Sequence, residues 1–188
     1  SKKFNAPILF SGKLYRAVAL ELINRNLDYK KKSNILMCVK SINDSKLNST
    51  NLYSSRVDKI ASLISSKKYL RDSLKNYQRN FPRKYSRTTK YVIVEGRDIG
   101  TVIFPAAKYK IFMWADTKTR ATRRLNQIRK SGRKTTFSKI LKEIKQRDFN
   151  DLNRKIAPLK PSVNSVLLDT TYLDIEQVFN VIKNIIDK

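Results

Sequence analysis

Three short segments of this 188-residue chain place arginines beside acids or hydroxyls at spacings that could grip an anion. In Glu95-Gly96-Arg97-Asp98-Ile99-Gly100-Thr101 an apolar β-branched run ends, and a glycine, an Arg–Asp pair and a second glycine follow at once. Such a strand end can be a turn with a surface ion pair. It can also be a site where Arg97 holds an anion and Asp98 accepts hydrogen bonds from a ligand. In Arg147-Asp148-Phe149-Asn150-Asp151-Leu152-Asn153-Arg154, the residues Arg147, Asp151 and Arg154 recur three to four apart and can share one helix face. A solvated helix end has the same pattern. In Ser11-Gly12-Lys13-Leu14-Tyr15-Arg16, Ser11 can cap a helix, and Arg16 follows a turn and a half later. Guanidinium forks bind phosphate through paired hydrogen bonds, so arginines carry more information here than lysines. The chain has no histidine and one cysteine, Cys38. Histidine acid–base chemistry and an intramolecular disulfide are therefore excluded, and a structural zinc site nearly so.

The elements that must position these segments follow from the apolar spacing. Ala6 to Phe10 predicts a buried strand end, followed by a helix to about Asn26 marked by Leu14, Val18, Leu20, Leu22 and Ile23. Lys30 to Thr50 is polar and rich in Asn, Ser and Lys, broken by Ile35-Leu36-Met37-Cys38-Val39, and is expected to be an irregular connector into a lobe. Ser54 to Phe81 has helical spacing with a break near Ser65-Ser66, and Pro82 to Lys90 is expected to be a basic loop. Tyr91-Val92-Ile93-Val94, Tyr109 to Ala115 and Val166 to Asp169 predict buried strands. Lys118 to Lys130 and Ser138 to Arg147 predict basic helices, and Asp174 to Asp187 a closing helix with Ile175, Val178, Phe179, Ile182, Ile185 and Ile186 on one face. Short strands alternating with longer helices imply an α/β fold with a parallel sheet, whose ligands sit at the carboxyl ends of the strands.

The net charge is +26, from 41 Lys+Arg against 15 Asp+Glu. Most of the basic residues are lysines spread along the whole chain, and Asn, Ile, Ser and Tyr are frequent too, the usage of an AT-rich genome. The charge is therefore mainly background, with a smaller part left for an anionic partner. A nucleic-acid-binding module is the rival from another class, but basic and aromatic residues do not interleave as a stacking platform would. The longest apolar runs are far too short to span a bilayer.

Taken together, Ser11 to Arg16, Gly96 to Pro105 and Arg147 to Leu159 resemble the bacterial cytidylate kinases, in order and in register. The resemblance continues through Lys110-Ile111-Phe112 and Leu168 to Val178, and covers nearly all of the chain from Phe10 onward. It implies a three-layer P-loop nucleoside monophosphate kinase fold with a parallel sheet, a helical monophosphate-binding lobe over 39–82, core segments over 1–38 and 83–188, and a lid at about 120–156. It implies transfer of the ATP γ-phosphoryl group to CMP or dCMP, with ATP and Mg2+ as cofactors and no metal-ligating side chain assigned. By resemblance, Ser11, Tyr15 and Arg16 face the CMP side of the cleft, Arg71 meets the CMP phosphate, and Ser62 recognises the cytosine ring. Arg97 matches a phosphate arginine and Asp98 the acid that reads the cytosine amino group. Arg147 and Asp151 match a pair near the ribose, Arg154 an arginine near the transferred phosphoryl, and Arg120, Arg123 and Arg124 lie where the lid approaches ATP. The expected protein is a cytoplasmic monomer acting on small nucleotides, with neither a membrane nor a nucleic-acid partner. A kinase-like scaffold without catalysis is the alternative.

The sequence departs from the family pattern in three places. No Gly-x-x-x-x-Gly-Lys-[Ser/Thr] loop for the ATP phosphates is present, so the first strand and loop are expected to precede Ser1 and this chain is expected to turn over little. Phe10 stands where the family usually has Asp, which bears on magnesium. Val39 to Asn51 is too short for a small antiparallel sheet, so the monophosphate lobe is expected to be mostly helical.

Overall fold

Strand β1 (Ile8–Phe10) runs directly into helix α1 (Ser11–Asn24), whose buried residues Leu14, Val18 and Leu22 fall on one face at spacings of four. The computed structural model describes residues 2–187. It resolves into two units: one holds the chain up to Ile99 together with Arg154–Ala157, the other Gly100–Asn153 and Pro158 onward.

In the first unit, α1 is followed by α2 (Lys32–Lys40), α3 (Asp44–Leu47), α4 (Ser55–Ile64), α5 (Lys68–Tyr85) and strand β2 (Ile93–Glu95). β1 and β2 pair in parallel, with Phe10 opposite Glu95, so the Ser11 and Gly96 segments leave the sheet side by side. The core is helical: Leu14, Leu22, Ile35, Leu52, Ile64, Leu70 and Leu74 are almost wholly removed from water. Burial of each such side chain is worth about 1.5–3 kcal/mol. Among the described residues, 39–82 form helices and turns without a strand, as the short Val39–Asn51 stretch requires. The break between α4 and α5 falls at Ser65–Lys67, and Ser54 caps α4 by accepting from the Val57 amide.

Lys30 to Thr50 is not an irregular connector but carries α2 and α3, because Ile35 and Cys38 lie one turn apart and are both fully buried. Two core contacts outweigh the polar composition around them. Likewise the loop expected from Pro82 begins later, since α5 continues through Pro82 to Tyr85. Pro82 removes one amide from the backbone ladder of α5, and the turn beyond it persists with the Phe81 and Tyr85 rings packed 5.1 Å apart.

The second unit contains β3 (Ile111–Trp114), α6 (Thr117–Lys130), α7 (Phe137–Asn153), β4 (Val166–Asp169) and α8 (Ile175–Ile186). β3 and β4 pair in parallel, with Trp114 opposite Asp169. α6 and α7 pack through Ala121, Leu125 and Ile140. The strands expected to be buried are only partly so: Met113, Trp114, Val166 and Leu167 are exposed. Helix α8 keeps the predicted apolar face, with Val178, Phe179, Ile182, Ile185 and Ile186 half-buried and Ile175 exposed. Its start is fixed by a capping box: the Gln177 amide donates to Asp174 Oδ1 at 2.8 Å, and the Asp174 amide donates to Gln177 Oε1 at 2.9 Å. Asp174→Ala is expected to lower stability by about 1 kcal/mol, read as an earlier urea transition.

Candidate active site

Of the sequence-predicted residues of the first unit, Ser11 stands at the start of α1 beside the end of β2, and Tyr15, Arg71 and Asp98 meet one another. Helix α1 begins at Ser11 itself, with Phe10 at the cap position and no side-chain cap. Ser11 is thus a buried first helical residue rather than the cap the sequence allowed. Its neighbour across the sheet is Gly96. A Cβ at residue 96 would land on Ser11 Oγ and within about 3 Å of the Ile99 side chain, so the absence of a side chain there is what lets the two segments meet.

One helical turn into α1, Tyr15 is buried beneath a charged group. The Arg71 guanidinium carbon lies 5.6 Å from the centre of the Tyr15 ring, a cation–π distance. Arg71 comes from α5, where only 8 % of the residue is exposed, and its Nη2 forms an ion pair with the Asp98 carboxylate, itself 6 % exposed. Arg71 Nη1 donates to the Ser65 carbonyl at 2.9 Å, which ties the pair to the break between α4 and α5. Burial pushes the Tyr15 hydroxyl up to about 12; Arg71 and Arg154 pull it down and Asp98 adds to the rise. Tyr15 therefore stays protonated, a hydrogen-bond donor, across the physiological range.

Arg154 joins the same unit through the short segment Arg154–Ala157. Its Nε donates to the Ala157 carbonyl at 2.6 Å, and Ala157 adopts φ +50°, the left-handed region that costs a non-glycine residue energy. Arg97 is half-buried beside Asp98. Ser62, on α4, is half-buried, and its carbonyl accepts from Ser65 Oγ at 2.8 Å. Arg16 points to a different set of partners: it is ion-paired to Asp58, donates to the Leu52 carbonyl at 3.0 Å and lies 5.3 Å from the Tyr53 ring centre.

The other sequence-predicted residues belong to the second unit. Arg120, on α6, donates to the Ala115 carbonyl, Thr117 Oγ1 and the Asp148 carboxylate at 2.9–3.0 Å, and so clamps α6 to α7. Arg123 bonds Thr170 and Leu173 after β4, and Arg124 donates to Gln127. Arg147 and buried Asp151 stand one turn apart on α7, with Arg147 Nε 3.8 Å from the carboxylate. The Asp151 carbonyl accepts from the Leu159 amide at 2.8 Å, which fixes the chain beyond α7.

The structure thus joins Tyr15, Arg71 and Asp98, with Arg154 near enough to act on the Tyr15 hydroxyl. Sequence reasoning missed Asp58, Tyr53 and Asp148. Asp148 stood inside a quoted motif and its spacing to Asp151 could have flagged it, whereas nothing local marks Asp58 as a partner of Arg16. A buried cation, a carboxylate and a protonated phenol at a strand end can recognise a polar ring and an anion together.

Comparison with known proteins bears on this arrangement. The family model described as cytidylate kinase matches residues 1–188. The chain is similar to the cytidylate kinase of Fusobacterium nucleatum subsp. nucleatum, 38 % identical over 198 residues, which takes in 100 % of this chain and 88 % of that protein. It is 37 % identical over 179 residues to the cytidylate kinase of Bartonella tribocorum, covering 95 % and 81 % of the two chains. With the cytidylate kinase of Clostridium botulinum (strain Okra / Type B1) it shares 34 % identity over 201 residues, covering 99 % and 88 %.

Proposed function

Because the chain belongs to the cytidylate kinase family, we propose that it transfers the γ-phosphoryl group of ATP to CMP or dCMP, with the Tyr15–Arg71–Asp98 group as the centre of the acceptor site. It is an ATP-dependent phosphotransferase with the α/β, P-loop kinase type of fold. The observation that carries the site is the buried Arg71–Asp98 pair, held against Tyr15 where β2 ends.

Phosphoryl transfer runs through a loose transition state, so the protein's task is positioning and charge neutralisation. The acceptor is a phosphate oxyanion and needs no tuned general base, which suits a chain without histidine. Asp98 is assigned to accept from the cytosine amino group and Ser62 to contact the ring. Arg16, Arg71 and Arg97 are assigned to the acceptor phosphate. A carboxylate facing the amino group rejects uracil, whose carbonyl would meet it unpaired. Arg147 and Asp151 are assigned to the ribose, Arg154 to the transferred group, and Arg120, Arg123 and Arg124 to ATP; Arg120 and Arg123 would exchange their present hydrogen bonds to do so. Residues 39–82 are the proposed monophosphate lobe and about 120–156 the lid.

The family implies ATP as the nucleotide donor and usually Mg2+. Among the described residues no group of three or more His, Cys, Asp or Glu could hold a metal ion, so no side chain is assigned to magnesium and no step is derived through it. No described helix is long and apolar enough to cross a membrane. A cytoplasmic monomer acting on small nucleotides is proposed.

A coupled ADP-release assay on the chain joined to the family's Gly-x-x-x-x-Gly-Lys-[Ser/Thr] loop, and calorimetric titration with CMP, dCMP, UMP and AMP, test the assignment. CMP and dCMP are expected to bind and react at least about 100-fold better than UMP and AMP, because a site built around a hydrogen-bonding group rejects a base that leaves it unpaired. Equal use of AMP overturns it.

A further inference from the structure

The acid beside Arg16 has no role in the function proposed above. Arg16 lies on α1 with its side chain 14 % exposed. Its protein contacts are confined to one end and one face of the guanidinium. Nη1 meets the Asp58 carboxylate and donates to the Leu52 carbonyl at 3.0 Å, and the group lies over the Tyr53 ring at 5.3 Å. Among the described residues, no acceptor is taken by Nε or Nη2. These two nitrogens carry the parallel N–H pair that matches two oxygens of a phosphate. Asp58 sits in the first turn of α4, and its amide bonds back to the Ser54 carbonyl at 3.0 Å, so the carboxylate is presented from a fixed helix start.

We propose that Asp58 is a positioning residue: it anchors Arg16 through Nη1 so that the Nε–Nη2 edge stands ready for the phosphate of a nucleoside monophosphate. This rests on the assignment of Arg16 to the acceptor phosphate. An arginine side chain that is free to rotate must be ordered when it binds, at a cost in affinity. The Asp58 carboxylate, the Leu52 carbonyl and the Tyr53 ring do that ordering beforehand. The opposing effect is repulsion between Asp58 and the incoming phosphate. The two anions would lie on opposite edges of the cation, each closer to it than to the other, and the 34 % exposed Asp58 side chain is partly screened by water. Ordering therefore outweighs repulsion.

The test is calorimetric titration of the full chain with CMP and with cytidine, which lacks the phosphate. Asp58→Ala is expected to weaken CMP binding about tenfold while changing cytidine binding less than about twofold, and Asp58→Glu to recover part of the loss. In an Arg16→Ala background, Asp58→Ala is expected to add little, since its effect passes through Arg16. Asp58→Asn keeps the side-chain shape, and its unchanged cytidine binding reports that the fold is intact. The proposal is overturned if Asp58→Ala binds CMP as tightly as the wild type or more tightly, if CMP and cytidine lose affinity equally, or if the Arg16 and Asp58 losses add in full. A wild-type chain that binds no CMP overturns the acceptor-site assignment and this inference with it. A wild-type chain that binds CMP but is indifferent to Asp58 overturns the inference alone.

Discussion

Arg71→Ala is expected to cost stability and substrate affinity together. Arg71 and Asp98 are both more than nine-tenths buried and paired. Removing one partner of a buried ion pair leaves the other charge poorly compensated, at a cost of about 3–5 kcal/mol. The loss includes the hydrogen bond to the Ser65 carbonyl and the packing on Tyr15. Replacing both residues by apolar ones of similar size, Arg71→Met with Asp98→Leu, is expected to restore much of the stability, because no charge is then stranded. Urea unfolding of the three proteins measures this, and calorimetry with CMP separates the two effects. The double variant should regain its fold but not CMP binding, which is expected to stay weaker by at least about 100-fold, as loss of a charged pair at a binding site would give. Recovery of CMP binding along with the fold would remove Arg71 and Asp98 from the site.

Asp98→Asn is expected to shift base preference. The substitution keeps the side-chain shape but gives an amide that can donate as well as accept. The preference for CMP over UMP, taken as the ratio of kcat/KM values, is expected to fall by about 100-fold, since the site no longer penalises a carbonyl in place of the amino group. Cytidine and uridine titrations of the same variant check that the change lies at the base and not at the phosphate. An unchanged ratio would mean that Asp98 supports Arg71 without reading the ring.

Much of the architecture was legible in the sequence because short-range spacing carries it. The four-residue rhythm of Leu14, Val18 and Leu22 marks α1, and Val166 to Asp169 is a strand as expected. The closing helix expected from Asp174 begins there, with Asp174 as the cap of α8. What escaped depends on distant partners. Lys32–Lys40 has an apolar run, Ile35 to Val39, set in a polar stretch, and only the packing shows that Ile35 and Cys38 hold it against the core as a helix. Composition averages over faces and packing does not. The grip of Asp58 on Arg16 joins residues 42 positions apart, so no local pattern could reveal it. Arg120 shows the same limit: its pairing with Asp148 spans 28 positions and holds two helices together, where the resemblance assigned it to ATP. Motif matching identified the candidate residues, but which atoms each one meets comes from tertiary packing.

The meeting of Ser11 with Gly96 bears on how freely this protein can vary. Its composition runs towards lysine, asparagine and isoleucine, and only four glycines remain. Two of them, Gly96 and Gly100, sit where even a methyl group would run into a serine hydroxyl, Ser11 or Ser162. A third, Gly132, has a φ of +73° that other residues rarely adopt. Mutational drift can recolour the lysine-rich exterior at little cost. At position 96 every available replacement would displace Ser11, so two sites 85 residues apart can change only in concert.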